Sequence, residues 1–327
     1  MKIDVGVMGV TGYAGRELVR ILLNHPHVQL RYLASRQISH SQPAGELIPS
    51  FRFARELKVH PFKLKEALKA CELFFLTLPN GLAMGLAPAI LKKSGTKVID
   101  LSSDFRLKKS RGTVYGLTEY AREAVPSARL VANPGCYPTA ILLGTLPLAF
   151  SGLLRKEGLI ADVKSGVTGA GRGLKEELLF CEVNEDLRAY RVNAHPHIPE
   201  IEEQLRLLSG RGVKIVFVPH LVPLNRGLYA TLYAPLTKKI TEGALRAIYE
   251  NRYRKEPFVR LLPEGKFPQV KSVAGTNGCE IGLRLDAKKN LAIVLVAIDN
   301  LGKGAAGQAV QNMNLLYGFE ETVGLLA

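Results

Sequence analysis

One cysteine stands in the stretch ANPGCYPTA, residues 132–140, directly after a glycine and ahead of the apolar run ILLGTLPLAF. This pattern predicts that Cys136 lies where a strand ends and a helix begins. Pro138 suits the first turn of that helix, because a missing N–H costs nothing there. A thiol at a helix N-terminus loses its proton readily, since the helix dipole and the free N–H groups favour the thiolate. Cys136 is therefore the predicted nucleophile.

The other three cysteines, Cys71, Cys181 and Cys279, lack this setting and are predicted to be structural. No two cysteines form a closely spaced pair, which favours reduced thiols. The first residues lead straight into a predicted strand without the regions of a signal peptide, so we expect a cytoplasmic protein. No uninterrupted apolar stretch reaches the roughly 18 residues of a membrane span, so no membrane association is expected.

A nucleophilic thiol needs an acid or base, and the stretch AHPHIPEIEEQL offers one. His195 is the predicted acid/base, and Glu200, near the start of a helix, is the carboxylate predicted to orient it. The pair His195 and His197 also has the spacing of metal ligands. A metal site needs a further ligand, and His220, which could supply one, is distant in sequence. No metal is therefore expected.

A glycine-rich loop follows the first predicted strand and opens the first predicted helix, in GVMGVTGYAGREL. Such a loop lets the backbone approach a pyrophosphate and directs a helix N-terminus at it. The predicted cofactor contacts in this loop are Gly9, Thr11, Gly12, Tyr13, Ala14 and Gly15.

The end of the second predicted strand selects the cofactor. An acid there would bind the ribose hydroxyls of NAD, but the sequence LASRQ places Ser35 and Arg36 at this point. A hydroxyl and a guanidinium suit a 2′-phosphate, so the predicted cofactor is NADP(H). Loops at other strand ends and at a second glycine-rich turn supply further predicted cofactor contacts, namely Pro79, Gly166, Lys303 and Gly304.

Four residues near these loops are predicted to bind the substrate: Arg106, Asn133, Ser165 and Arg226. Arg226, in HLVPLNRG, is the first choice for gripping a phosphate or carboxylate by bidentate contact. The alternative is that Arg226 is a turn arginine at the start of a strand. Whether Arg106 or Arg226 binds the substrate carboxylate stays open.

A thiolate beside a dinucleotide suggests one chemistry. Attack on an acyl carbon gives a thioester, which a hydride reduces to an aldehyde, or the same parts oxidise an aldehyde with phosphate as acceptor. The predicted substrate is thus a small acyl phosphate.

Two kinds of element must position these residues. Up to about residue 135, short apolar runs alternate with helical patterns, which predicts a Rossmann-like, doubly wound parallel sheet (α/β). After about residue 150, longer alternating strands predict an α+β domain on a mixed or antiparallel sheet. We therefore predict a dinucleotide-binding domain over 1–137, completed by a C-terminal helix over 303–327, and a second domain over 138–302.

The net charge of +15 over 327 residues allows an alternative of a different class. A non-enzymatic dinucleotide-binding or nucleic-acid-binding protein would use such a surface. However, the basic residues are spread along the chain, tryptophan is absent, and no zinc or RNA-binding motif occurs. No nucleic-acid partner is therefore expected.

Eight stretches together resemble the N-acetyl-gamma-glutamyl-phosphate reductase family of arginine biosynthesis: GVTGYAGREL, DLSSDFRL, NPGCYPTA, SGVTGAGR, EVNEDLRAY, HPHIPEIEEQL, HLVPLNRG and GAAGQAVQNMN. They occur in order from residue 6 to residue 314. The resemblance implies that Cys136 is the nucleophile, His195 the acid/base and Glu200 its partner. It implies a dimerisation role for the second domain, a homodimer or homotetramer, and NADPH-dependent reduction of N-acetyl-gamma-glutamyl phosphate to the 5-semialdehyde with release of phosphate.

The resemblance leaves a second substrate open. Similar motifs occur in a lysine-biosynthesis enzyme that reduces an aminoadipyl phosphate carried on a small acidic protein, and the +15 charge would suit that carrier. Thr168, where the family often has serine, and Pro196, between the two histidines, are the small departures from the pattern.

Overall fold

The computed structural model describes residues 2–54, 56–107 and 112–326. The chain forms two compact units. The N-terminal unit comprises Met1–Pro134 and Ala305–Ala327, and the central unit comprises Gly135–Gly304. The assignment of cofactor binding to one and catalysis to the other stays a prediction. None of the helices within the described ranges is long and apolar enough to cross a membrane.

The N-terminal unit is built on one sheet in the order β3-β4-β2-β1-β5-β6-β8-β7. All its strand pairs are parallel except β3 with β4. This is the predicted doubly wound architecture, and that prediction is confirmed. The strands are β1 (Ile3–Met8), β2 (Val28–Ser35), β3 (Gln42–Pro43), β4 (Lys58–Pro61), β5 (Leu73–Leu76), β6 (Lys97–Asp100), β7 (Thr113–Tyr115) and β8 (Leu130–Ala132).

The helices of this unit connect the parallel strands, and one of them comes from the end of the chain. They are α1 (Tyr13–Leu23), α2 (Ala44–Leu47), α3 (Leu64–Ala70), α4 (Ala83–Leu91), α5 (Thr118–Ala121) and α11 (Gly307–Tyr317). The predicted C-terminal helix over 303–327 is longer than the observed helix α11, Gly307–Tyr317. A π-helical turn, Gly302–Ala306, precedes α11, and Gly318 ends it in the left-handed conformation, with φ 68°.

The central unit is built on a mixed sheet in the order β10-β11-β9-β12-β15-β14-β13. Strands β9 and β11 pair in parallel, as do β13 and β14, and the other pairs are antiparallel. The predicted α+β class is confirmed. The strands are β9 (Leu159–Gly166), β10 (Arg188–Ala189), β11 (Ile215–Val222), β12 (Leu228–Pro235), β13 (Val259–Leu261), β14 (Cys279–Asp286) and β15 (Leu291–Ile298).

The central unit packs its longest helix against the sheet. The helices are α6 (Cys136–Phe150), α7 (Phe180–Val183), α8 (His197–Ser209), α9 (Glu242–Tyr253) and α10 (Val270–Val273). Every residue of α6 from Tyr137 to Ala149 is buried, because the helix is apolar on all sides and contacts α8, α9, β12 and β15. The first residue of this rigid element is Cys136.

Candidate active site

Cys136 is the first residue of α6, and Gly135 is the extended N-cap residue before it. The thiol therefore lies at the positive end of a fully packed helix, where a thiolate is favoured. Its residue is half-buried, whereas Cys71 and Cys279 are buried. Burial raises the pKa of the Cys71 thiol to about 12, which leaves it unreactive. Cys181 is exposed, but α7, where it lies, has only four residues.

His195 is buried in a pocket of aromatic rings in the same unit. Its ring meets those of Tyr137 and Phe217 at centroid distances of 5.3 Å and that of Tyr190 at 5.7 Å. Burial lowers the pKa of His195 to about 4, and the neighbouring His197 adds to this shift. The ring is therefore neutral near pH 7.

The tautomer of His195 follows from a local hydrogen bond. The N–H of His197 donates to Nδ1 of His195 at 3.2 Å. Because an accepting ring nitrogen carries no proton, the neutral ring carries its proton on Nε2. His195 can thus donate a hydrogen bond from Nε2, and its predicted acid/base role stays a prediction.

Glu200 is buried one turn into α8, and its predicted role as the partner of His195 stays a prediction. Its Oε1 accepts a hydrogen bond from the N–H of Gly135 at 3.2 Å, and its Oε2 lies 4.0 Å from Nε2 of His197. Its effect on His195 is electrostatic and is the weakest influence on the pKa of that ring. Through the hydrogen bond from Gly135, Glu200 connects the start of α8 to the start of α6.

Sequence reasoning did not identify two tyrosines that line the His195 pocket. The hydroxyls of Tyr137 and Tyr190 lie 2.8 Å apart, and Ser165, a predicted substrate contact, hydrogen-bonds with Tyr137. Burial raises the pKa of Tyr137, and it raises the pKa of Tyr190 to about 12, so both hydroxyls keep their protons. Tyr137 follows the nucleophile directly in NPGCYPTA, which was the available signal for it.

In the N-terminal unit, the glycine-rich loop fits a dinucleotide. Gly9 has φ 103°, and a Cβ atom there would lie 2.4 Å from the carbonyl oxygen of Thr77. A Cβ on Gly15 would lie 2.4 Å from the carbonyl oxygen of Gly9. The glycines of the loop between β1 and α1 thus allow a tight turn into a helix N-terminus, the arrangement that binds a pyrophosphate.

The two residues predicted to select the cofactor have different surroundings. Ser35 is buried, and its Oγ lies 3.3 Å from that of Thr11 and accepts from the N–H of Gln37 at 3.1 Å. Its hydroxyl thus joins the end of β2 to the glycine-rich loop. Arg36 is exposed at the same strand end. Of these two residues, Arg36 therefore stays the predicted contact for a 2′-phosphate.

Replacing Arg36 with alanine should raise the KM for NADPH by about 10- to 100-fold, since a charge-assisted hydrogen bond contributes about 1.5–3 kcal/mol. The KM for NADH should stay unchanged, because NADH lacks the 2′-phosphate. Steady-state kinetics with both cofactors checks this. Ser35→Ala is the matched control, with a smaller effect, and an equal loss for both cofactors in Arg36→Ala would contradict the assignment.

Two predicted substrate residues in the N-terminal unit are bound to backbone groups. Nε of Arg106 donates to the carbonyl oxygen of Asn133 at 2.8 Å, and one terminal nitrogen donates to that of Leu101 at 2.7 Å. Nδ2 of Asn133 donates to the carbonyl oxygen of Ala305 at 3.1 Å. Asn133 is completely buried and Arg106 nearly so. These contacts indicate that both side chains hold the loops after β6 and β8.

The predicted contacts of the central unit are also partly engaged within the protein. Arg226 donates from Nε to the buried Asp299 at 2.5 Å. The ammonium of Lys303 lies 5.8 Å from the centroid of the Phe258 ring, and the residue has no exposed surface, which does not support a side-chain contact to a cofactor. Gly166 is buried beside the carbonyl oxygen of Leu224.

Pro79 differs, because it is exposed in the loop after β5. Asp104, in the loop after the neighbouring β6, accepts hydrogen bonds from the N–H groups of Gly81 at 2.6 Å and Met84 at 3.2 Å. The two loops are therefore tied together at the carboxyl ends of adjacent parallel strands, where open α/β sheets bind ligands.

Comparison with known proteins places these features in one family. Residues 4–128 match the family described as the semialdehyde dehydrogenase NAD binding domain, and residues 136–300 match the semialdehyde dehydrogenase dimerisation domain. The N-acetyl-gamma-glutamyl-phosphate reductase of Alkaliphilus metalliredigens is 44% identical, with 99% of this chain and 98% of the relative covered. That of Alkalilimnicola ehrlichii is 46% identical at the same coverage.

A solved structure has the same fold at much lower identity. Aspartate semialdehyde dehydrogenase II of Vibrio cholerae, complexed with ASA, superimposes with a TM-score of 0.77 and 17% identity over 97% of this chain and 99% of its own. The fold, the order of the two domains and the full-length relatives agree. The chain belongs to the N-acetyl-gamma-glutamyl-phosphate reductase family.

Proposed function

We propose that the protein reduces N-acetyl-gamma-glutamyl phosphate to N-acetylglutamate 5-semialdehyde with NADPH, through a thioester on Cys136, as a step of arginine biosynthesis. The observation that supports this most is the half-buried thiol at the N-terminus of α6, in the unit that also buries the neutral ring of His195. A binding protein has no use for this combination, which disfavours the non-enzymatic alternative.

The first half of the reaction forms a bond to sulfur. The Cys136 thiolate attacks the acyl carbon, a C–S bond forms, and the C–O bond to phosphate breaks as phosphate leaves with the electron pair. The negative charge on the acyl oxygen is stabilised by N–H groups at the start of α6 and by the Nε2 proton of His195. The neutral ring donates this hydrogen bond from Nε2 and does not transfer its proton.

The second half releases the sulfur. The glycine-rich loop and Arg36 would hold NADPH, which when bound would supply a hydride to the acyl carbon. The C–S bond then breaks, and the thiolate leaves with the electron pair as the aldehyde forms. His195 donates to the acyl oxygen until the carbonyl is restored, and the α6 N-terminus stabilises the returning thiolate. Nε2 of His195 keeps its proton at the end of the cycle.

The substrate is tested by comparing two semialdehydes in the reverse reaction. The relatives carry the name of the acetylglutamyl enzyme, which favours N-acetylglutamate 5-semialdehyde. The net charge of +15 suits an acidic carrier protein and supports the second candidate, a carrier-linked aminoadipyl semialdehyde. We expect phosphate-dependent reduction of NADP only with the acetylglutamyl compound. Turnover of the carrier-linked compound alone would reverse the choice.

We propose that the open face of the central sheet forms a homodimer, with a homotetramer as the alternative. Along β12, buried residues alternate with partly exposed ones, and the exposed set includes Tyr229, Thr231 and Tyr233. Neighbouring strands add exposed aliphatic side chains to this face, with Ile160 39% and Val216 44% exposed. The same face carries the ion pair of Asp162 and Lys164. Exposed aromatic and aliphatic side chains among polar ones are typical of a protein interface.

Replacing Ile293 with lysine should convert the oligomer to a monomer. Ile293 lies beside Tyr233 on the neighbouring strand β15. A lysine there places a charge on the proposed interface, where its desolvation opposes association. Sedimentation velocity measures the mass. Leu326→Lys, at a 74% exposed position in the N-terminal unit, is the control and should leave the mass unchanged. A monomeric wild-type protein would contradict the proposal.

We place the reaction in the cytoplasm. All four cysteines are free thiols, which suits a reducing compartment. Both the proposed reductant and the nucleophilic thiol need such conditions to stay active. Fractionation of cells that produce the protein tests this location.

A further inference from the structure

A buried carboxylate at the end of β15 collects four hydrogen bonds. Oδ1 of Asp299 accepts from the N–H groups of Leu301 at 2.8 Å and Gly302 at 3.0 Å. Its Oδ2 accepts from the N–H of Gly275 and from Nε of Arg226, each at 2.5 Å. Asp299 has no exposed surface. A buried charge of this kind is retained when it is paired and hydrogen-bonded, so Asp299 with Arg226 fixes the chain that follows β15.

The chain that Asp299 holds lies against the nucleophile. The N–H of Gly304 donates to the carbonyl oxygen of Asp299 at 2.8 Å. A Cβ atom on Gly304 would lie 2.7 Å from the Cβ and 3.1 Å from the Cα of Cys136. Because there is no room for a side chain, the backbone of this turn packs directly on the residue that carries the thiol.

The next residue along the chain connects two more loops to the same point. Oδ1 of Asn300 accepts from the N–H of Gly227 at 2.6 Å, and its Nδ2 donates to Oγ1 of Thr168 at 2.9 Å. The carboxyl end of β15 therefore joins the loop that carries Arg226, the loop after β9 and the turn beside Cys136. These loops are thus connected to one another through hydrogen bonds of 2.5–3.0 Å.

We infer that the Arg226–Asp299 pair is a positioning pair that keeps the Gly302–Gly304 turn packed on Cys136, and that Arg226 does not grip the substrate. The inference rests on the proposed function in taking Cys136 as the nucleophile. The side chain of Arg226 is only 27% exposed and gives Nε to Asp299. The reaction requires the sulfur at one fixed position, because a misplacement of about 1 Å costs about 100-fold in rate.

The test compares Arg226→Lys, Asp299→Asn and the double variant. We expect each single variant to lower kcat by about 10- to 100-fold while the KM values for phosphate and semialdehyde change by less than about twofold. The kcat of the double variant should be no lower than that of the less active single variant, because both changes break the same contact. Arg252→Lys, in another ion pair of the central unit, is the matched control and should change neither constant.

Alkylation with iodoacetamide, in the absence of substrate, gives an independent readout. Loosening the turn uncovers the residue on which it packs, so Cys136 in the variants should be alkylated several-fold faster although kcat is lower. Mass spectrometry locates the label. The buried Cys279 in the same unit should stay unlabelled, which distinguishes local loosening from unfolding.

The opposite pattern would overturn the inference. If Arg226→Lys raises the KM for phosphate or semialdehyde about 10-fold or more with kcat and alkylation unchanged, Arg226 grips the substrate. If Asp299→Asn fails to fold, Arg226→Lys alone decides. If the wild-type protein turns over neither semialdehyde while the alkylation pattern holds, the proposed function fails and the positioning role stands.

Discussion

Replacing Cys136 with alanine should lower reductive turnover by about 10⁴-fold or more. The reason is that, among the described residues of the central unit, Cys136 is the one cysteine at the N-terminus of a long helix. NADPH binding should be unchanged, because the glycine-rich loop belongs to the other unit. Phosphate release and NADPH oxidation measure the first effect, and fluorescence titration with NADPH measures the second.

Cys181→Ala is the matched control for this variant. Cys181 is an exposed thiol of the central unit, and its replacement should leave kcat and KM unchanged. A Cys136→Ala protein that still released phosphate with consumption of NADPH would rule out the thioester route. Loss of activity in Cys181→Ala would indicate that Cys181 is the nucleophile.

Replacing His195 with asparagine should lower kcat/KM by about 10²- to 10³-fold, the range for loss of a hydrogen-bond donor to a developing oxyanion. His197→Asn should have a smaller effect, because the main-chain N–H of His197, which asparagine retains, is what binds His195. Single-turnover kinetics with both variants checks the order. Equal losses in the two would show that the aromatic pocket, not the His195 proton, is what matters.

The low pKa of His195 also predicts the pH dependence of the wild-type enzyme. Burial and the neighbouring His197 and Arg191 lower the pKa to about 4, so the ring stays neutral as the pH falls from 8 to about 5. Activity should therefore show no acid limb near the ordinary histidine value of about 6.5. A limb centred near 6.5 that disappears in His195→Asn would contradict the neutral ring.

The long elements of the fold followed from the sequence because each has a strong periodic pattern. The strands of the central sheet alternate buried and partly exposed residues, and β1 and β5 are nearly continuous apolar runs. The short edge strands β3, β7, β10 and β13 were not predicted. With only two or three residues each, they have no period of their own and exist because a neighbouring strand supplies the hydrogen bonds.

The site residues also divide into those that a local sequence signal identifies and those whose contacts depend on the folded chain. Local signals, a thiol before a helix and a histidine with a glutamate, identified Cys136, His195 and Glu200 as candidates, and their catalytic roles stay predictions. The partner of Arg226 lies 73 residues away, and the contact of Tyr137 lies 53 residues away. Such pairings depend on the folded chain, so sequence spacing does not reveal that Arg226 is held by a buried carboxylate.

The most direct test of the account is the mass of the protein after reaction with N-acetyl-gamma-glutamyl phosphate when no NADPH is present. Without hydride the acyl group has no way forward, so a thioester should accumulate. We predict one acetylglutamyl group per chain, on the peptide that contains Cys136, and its loss as aldehyde when NADPH is added. An unmodified protein, or an acyl group on a different residue, would contradict the central claim.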